Sequence, residues 1–426
     1  MDTAYRLAVV ENGCADRAAT MHTFLMQRMF PRQATVVHAE AVIQAFARGE
    51  ERHSTARRVP MAADKIRVGI IGANAHYGWS MRAHLPALRA MPDYELTAVC
   101  TSRPETAAES AAHYGARLAF HDYHAMVRHP DIDLVSVSVR VPLHHDMVMA
   151  ALHAGKHVYC EWPLGANLAE AEAMAAVARA KGVRTMIGLQ AQGDPVVLRL
   201  RELLAEGYVG EVLSCTMAMF LPGLLHRGRD RAWMADRAMG AHTLSIATGH
   251  AIDVLCCCVA DFQEVAALST TQVPVWETAE PGKTVDVTAP DNVLVSGVLT
   301  NGAVASVHVA TVPWHGTGWR LEVYGREGTL VAASEQMVQY AQIRLQGGRG
   351  EDRALQALPV PARLTWVSEE VPQGPPFNVA QMYHRLGEAI RQGREAQPDF
   401  DLAVKRHRLL DAIQRSSDRG TRVPVS

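Results

Sequence analysis

The sequence predicts an α/β protein whose first part is a doubly wound parallel sheet and whose second part is built mainly from strands. Three observations lead there. A short apolar run from Lys65 to Gly78, KIRVGIIGANAHYG, breaks into glycines and then into a helix. Strand and helix patterns alternate from Lys65 to about Leu189, which argues for parallel strands with helices on both faces. Beyond that point, strand-like segments bounded by Gly, Pro and Asn dominate.

The chain has 426 residues, room for two domains with their own cores, and its 48% hydrophobic and 20% charged content is that of a globular enzyme. A net charge of −2 leaves no electrostatic footprint for nucleic acid, and no zinc-finger spacing or basic–aromatic platform is present, so no direct nucleic-acid binding is expected. No apolar run reaches the roughly 18 to 20 residues that cross a bilayer, so no membrane contact is expected. Cys256, Cys257 and Cys258 are consecutive and on a helix would point in three directions, which argues against a shared metal. They read as buried thiols in a reducing cytoplasm, and no metal site is expected.

Residues 1–64 differ from the rest. Helical patches at His22 to Met29 and Ala39 to Arg48 and the basic run Glu51 to Arg58 lie among scattered acidic residues, without a secretory apolar core. They are expected to form a poorly packed extension. A dinucleotide-binding domain is expected over 65–189 and a substrate and oligomerisation domain over 190–426.

In the first domain the pattern places strands at Ile66–Gly72, Leu96–Thr101, Arg117–Phe120, Leu134–Val139, His157–Cys160 and Thr185–Gly188. Helices fall at Arg82–Met91, bent by Pro86, and at Glu105–Tyr114, His144–Ala154 and Ala169–Ala180. Gly72 and Gly78 punctuate the first strand-to-helix turn, the place where backbone N–H groups and a helix N-terminus face a pyrophosphate. The spacing departs from G-x-G-x-x-G, because Asn74 takes the second glycine position and the last glycine falls one residue late. Asn tolerates a left-handed backbone, so the turn is expected to form. The second strand ends in Thr101-Ser102-Arg103, small hydroxyls and a fixed charge that suit a ribose 2′-phosphate. NADP(H) is therefore the preferred cofactor, with NAD(H) as the alternative.

In the second half, strands are expected at Val212–Phe220, Phe262–Thr271, Asn292–Leu299, Ala303–Thr311, Trp319–Tyr324 and Thr329–Ala333. Helices Pro195–Glu206 and Thr243–Cys257 lie among the early ones, and Val379–Arg391 and Leu402–Arg415 close the chain.

The order of the glycine turn, the His144 helix, AGKHVYCEWPL at 154–164 and ATGHAID at 247–253 resembles the glucose-fructose oxidoreductase/inositol dehydrogenase (Gfo/Idh/MocA) family. IGANAHYGWSMRAHLPAL, GLQAQGDPVVLRLRELLAEGYVGEV and PDNVLVSGVLTNG are similar to its branch that contains the fungal galactose-regulon repressor. The resemblance implies a Rossmann domain followed by an α/β domain with a large open, mostly antiparallel sheet, one face of which makes a homo-oligomer. It also implies a nicotinamide dinucleotide and a carbohydrate-like substrate.

Family dehydrogenases carry Glu-Lys-Pro, whose lysine assists proton transfer; here the motif is Glu161-Trp162-Pro163. An indole cannot carry that proton. The five lysines, Lys65, Lys156, Lys181, Lys283 and Lys405, offer no obvious substitute. His250 and Asp253 stand where the family has its catalytic histidine and the aspartate one turn on, while Ile246 replaces an acidic residue. The resemblance thus implies His250 as acid/base, with Asp253 as catalyst, orienting partner or packing contact. It also places Arg140 and His144 near the cofactor and Gln190 on the substrate side. His226, Trp233, Asp236, Arg237 and His242 lie in the segment that would line a polyol pocket.

The expected function is an NAD(P)-dependent oxidoreductase acting on a sugar, polyol or related hydroxy compound. A turnover-free nicotinamide-binding sensor and a redox-assisted glycoside-cleaving enzyme are the alternatives.

Overall fold

The computed structural model describes residues 65–425 apart from 228, 279–281 and 341, together with two short strands, Ala8–Val10 and Thr35–Val37, that pair in parallel. The expected extension at 1–64 otherwise lies outside the described residues.

Six strands form the first sheet: β1 (Ile66–Ile71), β2 (Tyr94–Cys100), β3 (Leu118–Phe120), β4 (Leu134–Val137), β5 (His157–Glu161) and β6 (Thr185–Gly188). Their spatial order is β3-β2-β1-β4-β5-β6, all parallel, so the order reverses between β1 and β4. That reversal opens a crevice at the strands' carboxyl ends. β1 can take the centre because Ile66, Val68 and Ile70 on one face are fully buried, worth about 1.5–3 kcal/mol each, and Ile71 on the other is 3% exposed.

The helices of this layer are α1 (Leu85–Arg89), α2 (Pro104–Tyr114), α3 (Tyr123–Arg128), α4 (His144–His153) and α5 (Leu168–Lys181). α3 had no strong periodicity in the sequence and was not expected; Asp122 starts it by accepting from the His124 N–H at 2.8 Å. Ahead of α1 the chain winds as a π-turn, Ser80–His84, and Pro86 sits in the first turn of α1, where its missing N–H costs nothing. The expected bend is thus a change of helix type one turn earlier, and it carries His84 into the core.

The second layer begins with α6 (Pro195–Ala205), capped by Asp194, and β7 (Val212–Pro222). A second π-turn, Thr243–Thr248, runs into α7 (Gly249–Cys258). Then come β8 (Phe262–Thr270), β9 (Asn292–Leu299), β10 (Val304–Val312), β11 (Gly318–Gly325), β12 (Gly328–Ser334), β13 (Arg344–Arg349) and β14 (Gln356–Ala357). The chain ends in α8 (Pro375–Gln392), α9 (Phe400–Arg419) and β15 (Val423–Pro424).

Among the described residues these strands form a nine-stranded sheet ordered β14-β13-β12-β11-β7-β10-β9-β8-β15, antiparallel except for β10 against β7. A separate small sheet joins His226–Arg227, Val275–Thr278 and Thr284–Asp286. One face of the large sheet carries the π-turn, α7 and α9. The other is open and includes Leu268 paired with Leu294, Val304, and Tyr324, between 40% and 53% exposed.

A linear split at 189/190 would give α8 to the second layer, yet its Met382, Tyr383 and Leu386 complete the core of the first sheet around β1 and α1. Both layers also share one continuous apolar core from Val135 through Trp162 to Ile413.

Gly72 has φ +91°, and a Cβ there would lie 2.2 Å from the Ser138 carbonyl oxygen; Gly78 has φ +102° in open space. Gly72→Ala is therefore expected to cost about 3 kcal/mol or more, and Gly78→Ala only about 1 kcal/mol, in urea unfolding. Equal costs would mean that the backbones do not approach at β4.

Candidate functional site

The turn after β1 is shaped by its own hydrogen bonds. Gly72 N–H donates to the Cys100 carbonyl at 2.9 Å, and Asn74 N–H to the Gly72 carbonyl at 3.0 Å. Asn74 Oδ1 accepts from the His76 N–H at 2.8 Å, and its carbonyl accepts from the Tyr114 hydroxyl at 3.1 Å. Asn74 is not left-handed as expected, since its φ is not positive. It holds the turn by a side-chain bond two residues on instead. Nothing from Gly72 to Trp79 is acidic, and Ser80 Oγ and Ser138 Oγ flank the turn buried and unpartnered.

At the end of β2 the three expected residues separate. The Thr101 hydroxyl donates to the Arg103 carbonyl at 3.1 Å and meets Thr106 Oγ1 at 2.7 Å, so it serves the start of α2 rather than a ligand. Ser102 and Arg103 are exposed, and the Arg103 guanidinium has no partner among the described residues.

The Glu161-Trp162-Pro163 segment ends β5 in the interior. Glu161 Oε1 lies 2.8 Å from His84 Nε2, and Oε2 accepts from Gln190 Nε2 at 2.7 Å. Trp162, 5% exposed, donates its Nε1–H to the Ser245 carbonyl in the second π-turn at 2.8 Å. Its ring packs against His407, with centroids 4.9 Å apart. A Cβ on Gly249 would lie 2.4 Å from Trp162 Nε1, so the indole touches the backbone directly before His250. No lysine replaces the missing one: Lys156, at the opposite end of β5, donates to the His129 and Ile132 carbonyls at 2.9 and 2.7 Å.

His250 is 5% exposed on α7, and its Nδ1 is enclosed without a partner. Burial pushes its pKa down to about 3. Asp253, one turn on, does not orient it and does not face a ligand as a catalyst. Its carboxylate accepts from Arg406 Nε at 2.7 Å and from Gln192 Nε2 at 2.9 and 3.1 Å, with Arg406 and Asp253 only 2% and 1% exposed. Residues three apart on a helix share a face, but the closer partner here comes from α9. Asp253 therefore clamps the His250 helix to α9.

The remaining expected residues divide in two. Arg140 stacks over Trp233 at 5.3 Å, joining the loop after β4 to the segment after β7, both solvent-accessible. His144 is not at a ligand surface: it is 1% exposed, its ring nitrogens lie 2.8 Å from the Pro163 carbonyl and 3.1 Å from the Val139 carbonyl, and burial lowers its pKa. Gln190, 1% exposed, keeps Oε1 unpartnered. Asp236 caps a short turn through the Ala238 N–H at 2.8 Å, and Arg237 lies 3.9 Å from Asp418. Neither converges with His250. His242 caps the second π-turn through the Ser245 N–H at 3.3 Å. The side chain of His226 lies outside the described residues.

Sequence reasoning missed His84, Tyr383, Gln192, Arg406 and His407. His84 stood in the recognised HLPAL stretch, but its partner Tyr383 lies 299 residues on and carries no local signal.

Burial holds His242 and His407 neutral as well, each down to about 4. An unfolded imidazole titrates near about 6.5, so between about pH 6.5 and 4 the unfolded chain binds more protons and stability falls as pH falls. Asp194, pushed up to about 6 by burial, opposes this over part of the window. The urea midpoint is expected to drop from pH 7 to 4.5, and His250→Gln to flatten the drop. An unchanged slope in that variant would place His250 in solvent.

Comparison with known proteins agrees with this layout. Residues 66–189 match the oxidoreductase family with an NAD-binding Rossmann fold, and residues 195–334 match the Gal80p C-terminal domain. The chain is 35% identical over 216 residues to dehydrogenase aclE of Aspergillus oryzae, covering 49% of this chain and 59% of that protein. It is 28% identical over 270 residues to the galactose/lactose metabolism regulatory protein GAL80 of Saccharomyces cerevisiae, covering 59% and 62%. The chain thus spans about 60% of the length of these curated relatives. Levoglucosan dehydrogenase, solved in complex with NADH and L-sorbose, shares the fold with a TM-score of 0.75 at 24% identity, over 85% of this chain and 99% of that one. Two matched segments in the expected order, on the sheets just described, make this chain a member of the Gfo/Idh/MocA oxidoreductase family, in its Gal80p-like branch.

Proposed function

We propose that the chain is a nicotinamide-dinucleotide-dependent oxidoreductase that acts on a hydroxyl of a sugar, polyol or related compound. His250 carries the reading. A histidine with an enclosed, unpartnered Nδ1, held neutral by burial and following directly on the glycine that touches Trp162, can exchange a proton with a bound hydroxyl.

The residues fit the cofactor. The turn at Gly72 offers a cradle that any side chain would fill, it has no carboxylate, and unpartnered Ser80 and Ser138 hydroxyls border it. Ser102 and Arg103 would meet the adenine ribose, which supports NADP(H) over NAD(H). The bound dinucleotide supplies the hydride acceptor or donor. Trp162 excludes water beside it, and His250 takes the substrate hydroxyl's proton or returns it. Because imidazolium is costly where His250 sits, the proton must move as charge develops on the substrate oxygen. The open face around Leu268, Leu294, Val304 and Tyr324 supports a homo-oligomer, and we take the setting to be cytoplasmic.

One observation favours a second reading. Trp162 occupies the lysine's place with its N–H spent on Ser245, which would suit a sensor that binds the dinucleotide without turnover.

Calorimetry is expected to show tighter binding of NADP(H) than NAD(H), with Arg103→Ala costing about tenfold for NADP(H) alone. Equal affinities would remove the 2′-phosphate assignment. For the chemistry, His250→Ala is expected to lower sugar oxidation about 10²- to 10⁴-fold with dinucleotide affinity intact. Trp162→Lys should raise turnover if the pocket is otherwise competent. Turnover insensitive to His250→Ala would overturn the mechanism, and a wild type inert towards every sugar and polyol would favour the sensor.

A further inference from the structure

Beyond the residues assigned above, a buried chain of hydrogen bonds fixes the polarity of one group at the site. Glu161 ends β5 with its carboxylate 9% exposed, and a carboxylate only accepts. His84, fully buried, therefore presents Nε2–H to Glu161 Oε1 at 2.8 Å. On its other side the ring is held by Tyr383 of α8, whose hydroxyl lies 2.8 Å from Nδ1, with Ser136 Oγ at 3.3 Å. On the other side, Gln190 faces Glu161 Oε2 at 2.7 Å and must do so with its NH₂ group. The amide cannot flip, because a carbonyl there would oppose a carboxylate oxygen. Its Oε1 is thereby turned away from Glu161, buried and unpartnered.

We propose that Gln190 Oε1 is a built acceptor for the carboxamide N–H of the nicotinamide, and that Glu161, His84 and Tyr383 are positioning residues that set its direction. This rests on the dinucleotide-binding reading. Gln190 follows β6 directly, beside Glu161 at the end of β5, in the half of a doubly wound sheet that receives the second nucleotide. The carboxamide is the part of that ring that carries N–H donors. At 1% exposure, an acceptor left unpaired is costly, so the match also gives specificity.

The test compares NAD⁺ with 3-acetylpyridine adenine dinucleotide, in which a methyl group replaces the carboxamide NH₂. Wild-type protein is expected to bind NAD⁺ about three- to tenfold more tightly by calorimetry, and Gln190→Met to abolish the difference. Tyr383→Phe, which keeps the ring and removes one hydroxyl, should shrink the ratio; a merely structural role would lower the melting temperature and leave it unchanged. Equal wild-type affinities would overturn the inference while leaving dinucleotide binding in place. Failure to bind either compound would overturn both. The wild-type comparison decides even if Gln190→Met does not fold.

Discussion

The indole of Trp162 is the contact through which the two layers meet at the site. It leaves the end of β5, donates to a carbonyl in the π-turn on the large sheet, lies against Gly249 and packs on His407 of α9. A buried tryptophan removes about 150–250 Å² from water, so this side chain is an anchor as well as a wall. Its N–H finds an acceptor in the Ser245 carbonyl, within the π-turn that leads into α7. Sequence, helix type and interlayer contact are one constraint.

The same closeness explains the electrostatics. The indole lies against Gly249, and the next residue, His250, is 5% exposed, so little water reaches it to stabilise an imidazolium. Depressed basicity at His250 therefore follows from burial, and at His407 from burial first, with His144 adding to it. Asp253, the nearest acid along the helix, could have countered it, but its charge is spent on Arg406. Removing one member of such a buried pair typically costs about 3–5 kcal/mol, which explains why this carboxylate suits a structural task better than a chemical one.

What the sequence disclosed and what it hid divide along sequence separation. β6 and β9 fell on their expected residues because their apolar runs are bounded by turn residues, a signal contained within ten positions. The turn at Gly72 was legible for the same reason. α3 was short and weakly patterned, and β13, with two glycines in six residues, has little strand propensity. Of the candidate site, the sequence pointed only to what single segments supply, as at Glu161-Trp162-Pro163 and His250. Asp253 stood open between catalyst, orienting partner and packing contact because helical spacing shows which residues share a face but not what arrives opposite; Arg406, which decides for packing, arrives from 153 residues away. His144 was misread similarly, since a histidine opening a helix near a crevice looks the same whether it faces ligand or two carbonyls.

Trp162 in the lysine's place therefore changes more than one proton-transfer step. A lysine there would bring a charge that needs solvent or a carboxylate, and the adjoining carboxylate, Glu161, is already matched on both oxygens by His84 and Gln190. With both Glu161 oxygens already held, a cation at 162 would have to compete for them, whereas an indole needs one acceptor and receives it from Ser245. The neutral wall and the saturated carboxylate support each other. In the oxidoreductase reading proposed above, proton transfer then falls to a histidine whose basicity burial has lowered, while the sensor reading asks nothing of that basicity.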